Sequence, residues 1–466
     1  MIKKTKFILI FLLITTLFQF SFITTSLGTT KNSKTTGTTN SSRISIASPS
    51  CILIDANTGK ILYEKNANEV RYPASTTKIM TAILVLENCK LTDVATVSHN
   101  AIFSIPADYV IANLREGEEL TVEQLLNVLL IPSANDAAIV LAEHVSGSVS
   151  EFANLMNEKA KEIGCNNTNF VNPNGIHNKK HVSTAYDLAL IARYAMKNPT
   201  FREIVKKTKC SLPATNKYSK TDRIFSTTNQ LLVKNTSNSK SNYYYPDAIG
   251  VKTGYTGEAG NCLVSSASKN GMEVISVVLG AGFTKSGLSE KFLDSITLLD
   301  YAFDNYSIKT LQKKDNIVQE VKVSGATKET KNLKVAVKDD IKILTEADTN
   351  SDELQPEIEL DKLKAPISAG STVGKITYTF ENKVYSSDLI ATDTVVASNF
   401  LPILLRICLI FITLYLLYLL LKPGSKKKNK SKRNNSKGHK SNGLKYSKSK
   451  RSKKGGNYRY TTLSNL

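Results

Sequence analysis

Ser75 and Lys78, within PASTTKIM at residues 73–80, stand three positions apart at the head of an apolar helical pattern. Positions i and i+3 share a helix face, so the lysine can reach the serine hydroxyl. A serine at a helix start also lies where negative charge developing during nucleophilic attack is favoured. Lysine acts as a base only when neutral, which requires burial or a neighbouring cation to lower its pKa. The pair alone is a weak signal, because Ser266 with Lys269, Ser425 with Lys428 and Ser447 with Lys450 repeat it. Two downstream triplets sharpen it: Ser133-Ala134-Asn135 and Lys252-Thr253-Gly254. Lys252 is a candidate for the neighbouring cation if the fold brings it close, and with Thr253 a candidate holder of a substrate carboxylate. Gly254, without a side chain, would let a peptide lie against a strand edge. Ser133 would relay a proton between Lys78 and a leaving amine, and Asn135 would donate to a substrate amide or to the lysine.

These residues need three kinds of element to position them. CILIDANTGKILYEKN reads as two strands around Asn57-Thr58-Gly59, a hairpin. PASTTKIMTAILVLE follows as a helix with Ile79, Met80, Ile83 and Leu86 at helical spacing. Thr121 and Gln124 form a capping-box pattern ahead of QLLNVLL, and Pro132 ends that helix before Ser133 and the next helical run, AAIVLAEHV. Asn172-Pro173-Asn174-Gly175 is a turn, and STAYDLALIARYAMKN another helix. After residue 245 come the strands DAIGVKTGYT, GNCLVSSASK and MEVISVVLGA. The class expected is α+β: an antiparallel sheet with a helical lobe over residues 47–305. Short alternating segments then make residues 308–395 a separate small all-β domain between that body and the C-terminal segments.

The formal charge of the 466-residue chain is +21, which suggests nucleic acid until it is located. Residues 422–466 hold 16 lysines and arginines and no acids, so most of the excess lies in that tail. Residues 401–421 are apolar except for Arg406, and Ile403 to Leu421 would span about 28 Å as a helix, the thickness of a bilayer core. A transmembrane helix followed by a polybasic stop places the tail in the cytoplasm and the body outside. At the other end, a basic start and the apolar run from Phe7 have the form of a signal peptide over residues 1–27, and residues 28–46, rich in Thr, Ser, Asn and Gly, form a flexible spacer. The six cysteines include no Cys-x-x-Cys pair, so neither a metal site, a cofactor nor a disulfide is expected.

The three motifs in this order resemble the serine-x-x-lysine, serine-x-asparagine and lysine-threonine-glycine signature of penicillin-binding proteins and class A β-lactamases. The run from Cys51 to about Gly282 is similar to the low-molecular-weight penicillin-binding proteins, the serine-type D-alanyl-D-alanine carboxypeptidases. The likeness extends to LIDANTGKILYEKNA, GEELTVEQLLNVLLIPSANDAA, NPNGIH with STAYDLALIA, and GVKTGYTGEAGNCLV, while KAPISAGSTVGKI resembles the family's C-terminal domain. The resemblance implies a β-lactamase/transpeptidase-like catalytic domain that removes the terminal D-alanine from peptidoglycan stem pentapeptides through an acyl-serine. It implies Ser75 as nucleophile, Lys78 as general base, Ser133 as second hydroxyl and Lys252 as carboxylate binder. The oxyanion hole would be the backbone N–H groups of Ser75 and Tyr255, and β-lactams would inhibit. Ala134 stands where relatives often have Gly or Asp.

Glu123 to Asn127 copy the Glu-x-x-Leu-Asn pattern of the β-lactamase deacylating base, but ahead of the second motif rather than after it, so Glu123 reads as a surface residue. His99 and His144 are isolated, and His177 and His181 read as solvated polar residues in a lysine-bearing turn. Tyr243, Tyr244 and Tyr245 read as loop packing. For the tail, a solvated topology determinant is expected, with contact to anionic lipid headgroups next and nucleic acid least supported. The rival to an enzyme is a wall-binding or β-lactam-sensing receptor that keeps the fold without useful turnover. Three intact motifs and a low-complexity tail favour the enzyme.

Overall fold

The computed structural model describes residues 44–219, 223–234 and 242–421. The signal peptide, nearly all of the spacer and the basic tail lie outside those residues. The N-terminal body contains strands β1 (Ser50–Asp55) and β2 (Ile61–Lys65), the helix α1 (Lys78–Asn88), then β3 (Val94–Thr96), α2 (His99–Phe103) and β4 (Glu119–Thr121). Helices α3 (Val122–Leu130), α4 (Asn135–Ser146), α5 (Val149–Ile163), α6 (Ala185–Ala195) and α7 (Pro199–Val205) follow. After β5 (Lys209–Leu212) and β6 (Arg223–Ser226) come β7 (Ala248–Thr256), β8 (Gly260–Lys269), β9 (Met272–Ala281) and α8 (Glu290–Asn305).

Strands distant in sequence build one antiparallel sheet in the order β2-β1-β9-β8-β7. Successive side chains of a strand point to opposite faces, so each inner strand must be apolar on both. On β1, Ile52 and Ile54 join the core of the helical lobe, while Cys51 and Leu53 join a second core under α8 with Phe292, Leu298 and Leu299. The same alternation settles one false motif. Ser266 and Lys269 lie on β8, where positions three apart face opposite ways; Ser266 is buried and donates to Glu273 Oε1 at 3.2 Å, while Lys269 is exposed.

The helices begin where the local chemistry supplies acceptors for unpaired N–H groups. Thr121 and Gln124 make a reciprocal capping box on α3. Thr184 caps α6 by accepting from Asp187 N–H. Pro132 and Ser133 occupy the break between α3 and α4, as expected, and Ser133 has φ 75°. The segment before α1 differs from expectation: Ala74–Thr77 form a turn of 3-10 helix, and the α-helix starts only at Lys78. In a 3-10 turn side chains three apart eclipse one another, which sets Lys78 directly over Ser75.

The C-terminal module contains β10 (Tyr306–Gln312), β11 (Ile317–Lys322), β12 (Asn332–Val337), β13 (Ile341–Glu346), β14 (Glu357–Leu360), β15 (Thr372–Phe380) and β16 (Lys383–Ala391). Its main sheet runs β11-β12-β16-β15-β14, with β10 paired to β13, over a core that includes Leu333, Val335, Ile376 and Leu389. Helix α9 (Phe400–Leu421) is apolar on every face apart from Arg406, and buries no residue in the protein. At 22 residues it is about 33 Å long, enough to cross a bilayer core.

Two glycines allow the lobes to close around the Ser75 turn. Gly175 has φ +81°, and a Cβ there would lie 1.9 Å from the Ala74 carbonyl oxygen. At Gly254 a Cβ would lie 3.1 Å from the Ser75 nitrogen and 3.2 Å from the Pro73 oxygen. Gly175→Ala should therefore lower the unfolding free energy by on the order of 3 kcal/mol, combining backbone strain with a clash against main chain. Chemical denaturation of purified wild type and variant measures this, and an unchanged midpoint would show that the contact is not tight.

Candidate active site

Among the described residues strand β7 is an edge strand, paired only with β8, and its other side faces the Ser75 turn. Between them lies a cleft of about 490 Å³ lined by Ser75, Ser133, Asn135, Thr253, Gly254 and Tyr255 among others. The three motifs, spread over almost 180 residues, thus meet in one place. Lys78 lies just beneath, with no solvent exposure, and Lys252 is likewise buried at 1%.

The Lys78 amine has three partners. Ser75 Oγ lies at 2.9 Å, Asn135 Oδ1 at 2.9 Å and the Asn174 carbonyl oxygen at 2.6 Å. The two amide oxygens only accept, whereas the serine hydroxyl can donate or accept. The three N–H groups of a charged lysine fill this cage, with Ser75 Oγ as the third acceptor; a neutral amine fills it equally, donating to Asn135 and Asn174 and accepting the Ser75 proton on its lone pair. Electrostatics favour the neutral form. Burial holds the Lys78 pKa well below the usual lysine value, the Lys252 charge lowers it further, and Asp136 opposes. Lys252 itself is lowered to about 7, first by burial and then by Lys291.

Structure changes the expected part of Asn135. Its Oδ1 accepts from Lys78 and its Nδ2 donates to the Val110 carbonyl at 2.9 Å, so its amide group is already paired on both sides. Ser133 lines the cleft, but among the described residues its hydroxyl makes no hydrogen bond to Lys78. The absent side chain of Gly254 makes room for the serine turn rather than only for a ligand. Thr253 Oγ1 is hydrogen bonded to Thr228 Oγ1, and Lys252 Nζ donates to the Thr253 carbonyl at 3.0 Å. Tyr255 stands at the rim, 60% exposed.

Several contributors carried no sequence signal of their own. Asn174 acts through its carbonyl, which any residue possesses; its placement comes from the turn, where Asn172 Oδ1 accepts from Gly175 N–H and Thr81 donates to the Pro173 carbonyl. Asp136 accepts from the N–H groups of Ala112, Leu114 and Ala137, pinning the loop that brings Asp108, Tyr109 and Val110 to the cleft. Lys291, on the first turn of α8, also lines the cleft and donates to Asn261 Oδ1 at 3.1 Å. Its pKa too is lowered by burial.

His181 corrects the expectation of a solvated residue: it is 2% exposed. Its Nδ1 accepts from Val171 N–H at 3.0 Å, which leaves the proton on Nε2 to be donated to Thr77 Oγ1 at 2.8 Å. Burial, with Lys78 and His177 adding to it, pushes its pKa down to about 3. It is a neutral strut behind the catalytic turn. Glu123 is exposed on α3 as expected, with Leu125 and Leu126 buried. Tyr243 and Tyr245 are packed, the first accepting from Ser289 N–H and the second donating to Asp300.

A family model described as D-alanyl-D-alanine carboxypeptidase matches residues 35–282, and one for the C-terminal domain of penicillin-binding protein 5 matches residues 306–397. D-alanyl-D-alanine carboxypeptidase DacF of Bacillus subtilis is 35% identical over 342 residues, 72% of this chain and 82% of that protein. Among solved structures, penicillin binding protein 5 from Haemophilus influenzae aligns with TM-score 0.55 at 28% identity, covering 76% of this chain and 99% of the other. A peptidoglycan synthesis regulatory factor (PBP3) from Streptococcus pneumoniae aligns with TM-score 0.60 at 26% identity, covering 75% and 100%.

The lowered Lys252 pKa has a consequence for stability. Between about 7 and the unfolded value near 10.4 the unfolded chain binds a proton that the folded chain does not, so stability rises with pH across that window. The limiting slope is about 1.4 kcal/mol per pH unit. Lys252→Met should flatten the rise and be the more stable protein at the low end of the window. Denaturant unfolding from pH 6 to 10 reads both effects; parallel curves for the two proteins would refute the assignment.

Proposed function

This chain belongs to the D-alanyl-D-alanine carboxypeptidase family and is a serine hydrolase of that activity, and from this premise we propose how its residues divide the work. Ser75 Oγ attacks the carbonyl of the penultimate D-alanine of a peptidoglycan stem peptide while neutral Lys78 takes its proton. The peptide C–N bond breaks, terminal D-alanine leaves with a proton returned through Lys78 and Ser133, and water then hydrolyses the Ser75 ester. The observation that carries this reading is the Lys78 cage: a fully buried amine with three partners within 2.9 Å, the Ser75 hydroxyl among them.

Lys252 and Thr253 take the terminal carboxylate in this reading: Thr253 and Lys291 line the cleft, and Lys252 is buried behind Thr253, to whose carbonyl it donates. An arriving carboxylate raises the Lys252 pKa, so binding is accompanied by proton uptake above about pH 7. The backbone N–H groups of Ser75 and Tyr255 form the oxyanion hole. The absence of a Cβ on Gly254, which lets β7 approach the Ser75 nitrogen, supports this pairing. β-Lactams acylate the same serine because their amide mimics the D-alanyl peptide bond. No feature of the site favours a receptor without turnover.

Helix α9 supports anchoring to a membrane. In our reading it spans the bilayer, with the signal peptide having directed the body outward and the tail cytoplasmic, where its lysines and arginines contact anionic headgroups. The β module is then the stalk that holds the cleft away from the bilayer.

Purified full-length protein in detergent should release free D-alanine from a pentapeptide ending in D-Ala-D-Ala, and Ser75→Ala should reduce release by about 10³-fold or more. Stable acylation by penicillin with no D-alanine release from wild type would defeat the carboxypeptidase mechanism. For topology, protease added to intact cells should remove the body and spare the tail; prior loss of the tail would reverse the orientation.

A further inference from the structure

The helical lobe carries a second group of reactive side chains, on the far end of the helices that supply Lys78 and Asn135. Cys89 closes α1, Asp93 lies in the turn leading to β3, and His144 is in the last turn of α4. One sulfur, one carboxylate oxygen and one imidazole nitrogen from these residues lie within 4.8 Å of one another. They are isolated in sequence and share no Cys-x-x-Cys spacing, and only the packing of α1 against α4 unites them.

We propose that Cys89, Asp93 and His144 bind one transition-metal dication, zinc being the best match, with a fourth position left to water. A thiolate, an imidazole and a carboxylate are the donors zinc takes in tetrahedral sites. Ligand atoms about such an ion stand about 3.3 to 3.5 Å apart at usual bond lengths, so the three groups need to close by at most about 1.5 Å. His144 is exposed and free to turn, and Cys89 and Asp93 are half-buried. Among the described residues neither the Cys89 sulfur nor the His144 ring has a hydrogen-bond partner. The Asp93 carboxylate is oriented by the Lys90 N–H, which donates to Oδ2 at 2.8 Å. Metal binding replaces the Cys89 thiol proton, which passes to solvent; no electron is transferred. The ion ties α1 to α4 at one end, while the Lys78 to Asn135 hydrogen bond joins the same two helices at the other.

The test uses Co²⁺ alone as a probe on the full-length chain, reduced and stripped with chelator. Wild type should show a thiolate-to-cobalt charge-transfer band saturating at one equivalent and displaced by Zn²⁺. Cys89→Ser should abolish the band, and His144→Ala and Asp93→Asn should each weaken binding by about tenfold or more. His144 is exposed, so its variant retains the fold and carries the test if Cys89→Ser does not. Absence of the band in wild type, its survival in Cys89→Ser, or unchanged affinity in His144→Ala would each overturn the site. None of these readouts depends on Ser75 chemistry, so failure here leaves the hydrolase reading intact, and loss of D-alanine release leaves this site intact.

Discussion

An amine with no access to solvent, held between a hydroxyl and two amide oxygens, is the constraint around which the body of this protein is arranged. A charged lysine at such a place would forfeit its hydration, and among the described residues no carboxylate is in contact to replace it. Its nearest anionic influence, Asp136, is already occupied by three backbone N–H groups. The lysine is therefore driven toward its neutral form, the form that accepts a proton from serine. Lys252, buried a short way off, adds to that pressure and is under similar pressure itself.

Each member of the cage comes from a different part of the chain, so the site exists only when three separate packings succeed together. The 3-10 turn sets Lys78 over Ser75, the start of α4 supplies Asn135, and the Asn172–Gly175 turn supplies a carbonyl. Close approach is possible because Gly175 and Gly254 present no side chain to the serine turn. Ala74 at φ 47° and Ser133 at φ 75° hold left-handed conformations that side chains disfavour, one beside the nucleophile and one in the second motif. Strain and desolvation meet at the site, and the two apolar cores on either face of the sheet offset them.

The modules beyond the body follow a different logic. The C-terminal strands form a sheet with its own core, distinct from the residues that pack around the cleft. Helix α9 exposes apolar side chains along its whole length, which no aqueous surface of this size tolerates without a partner, and a bilayer is the partner its length fits. Basic charge is confined largely to the tail, so the strongly positive balance of the chain describes its end rather than its catalytic surface.

Much of this was legible in the residues alone. The serine-lysine pair, its two companion motifs, the capping box on α3, the break at Pro132 and the alternation of the sheet strands are local patterns, and local backbone preferences suffice to read them. What the sequence could not convey was pairing across space. Asn174 contributes a carbonyl that carries no residue signature, Lys291 arrives on a helix with no motif, and His181 sits in a polar turn whose burial depends on Phe170 and the catalytic turn closing over it. The donor and acceptor assignments of Asn135 likewise depended on which partners reached it. Residue types and their spacing determined which chemistry was possible, because nucleophilicity and charge are properties of side chains; the tertiary structure lowers the pKa of Lys78, because that depends on which charges and how much solvent the fold leaves around it.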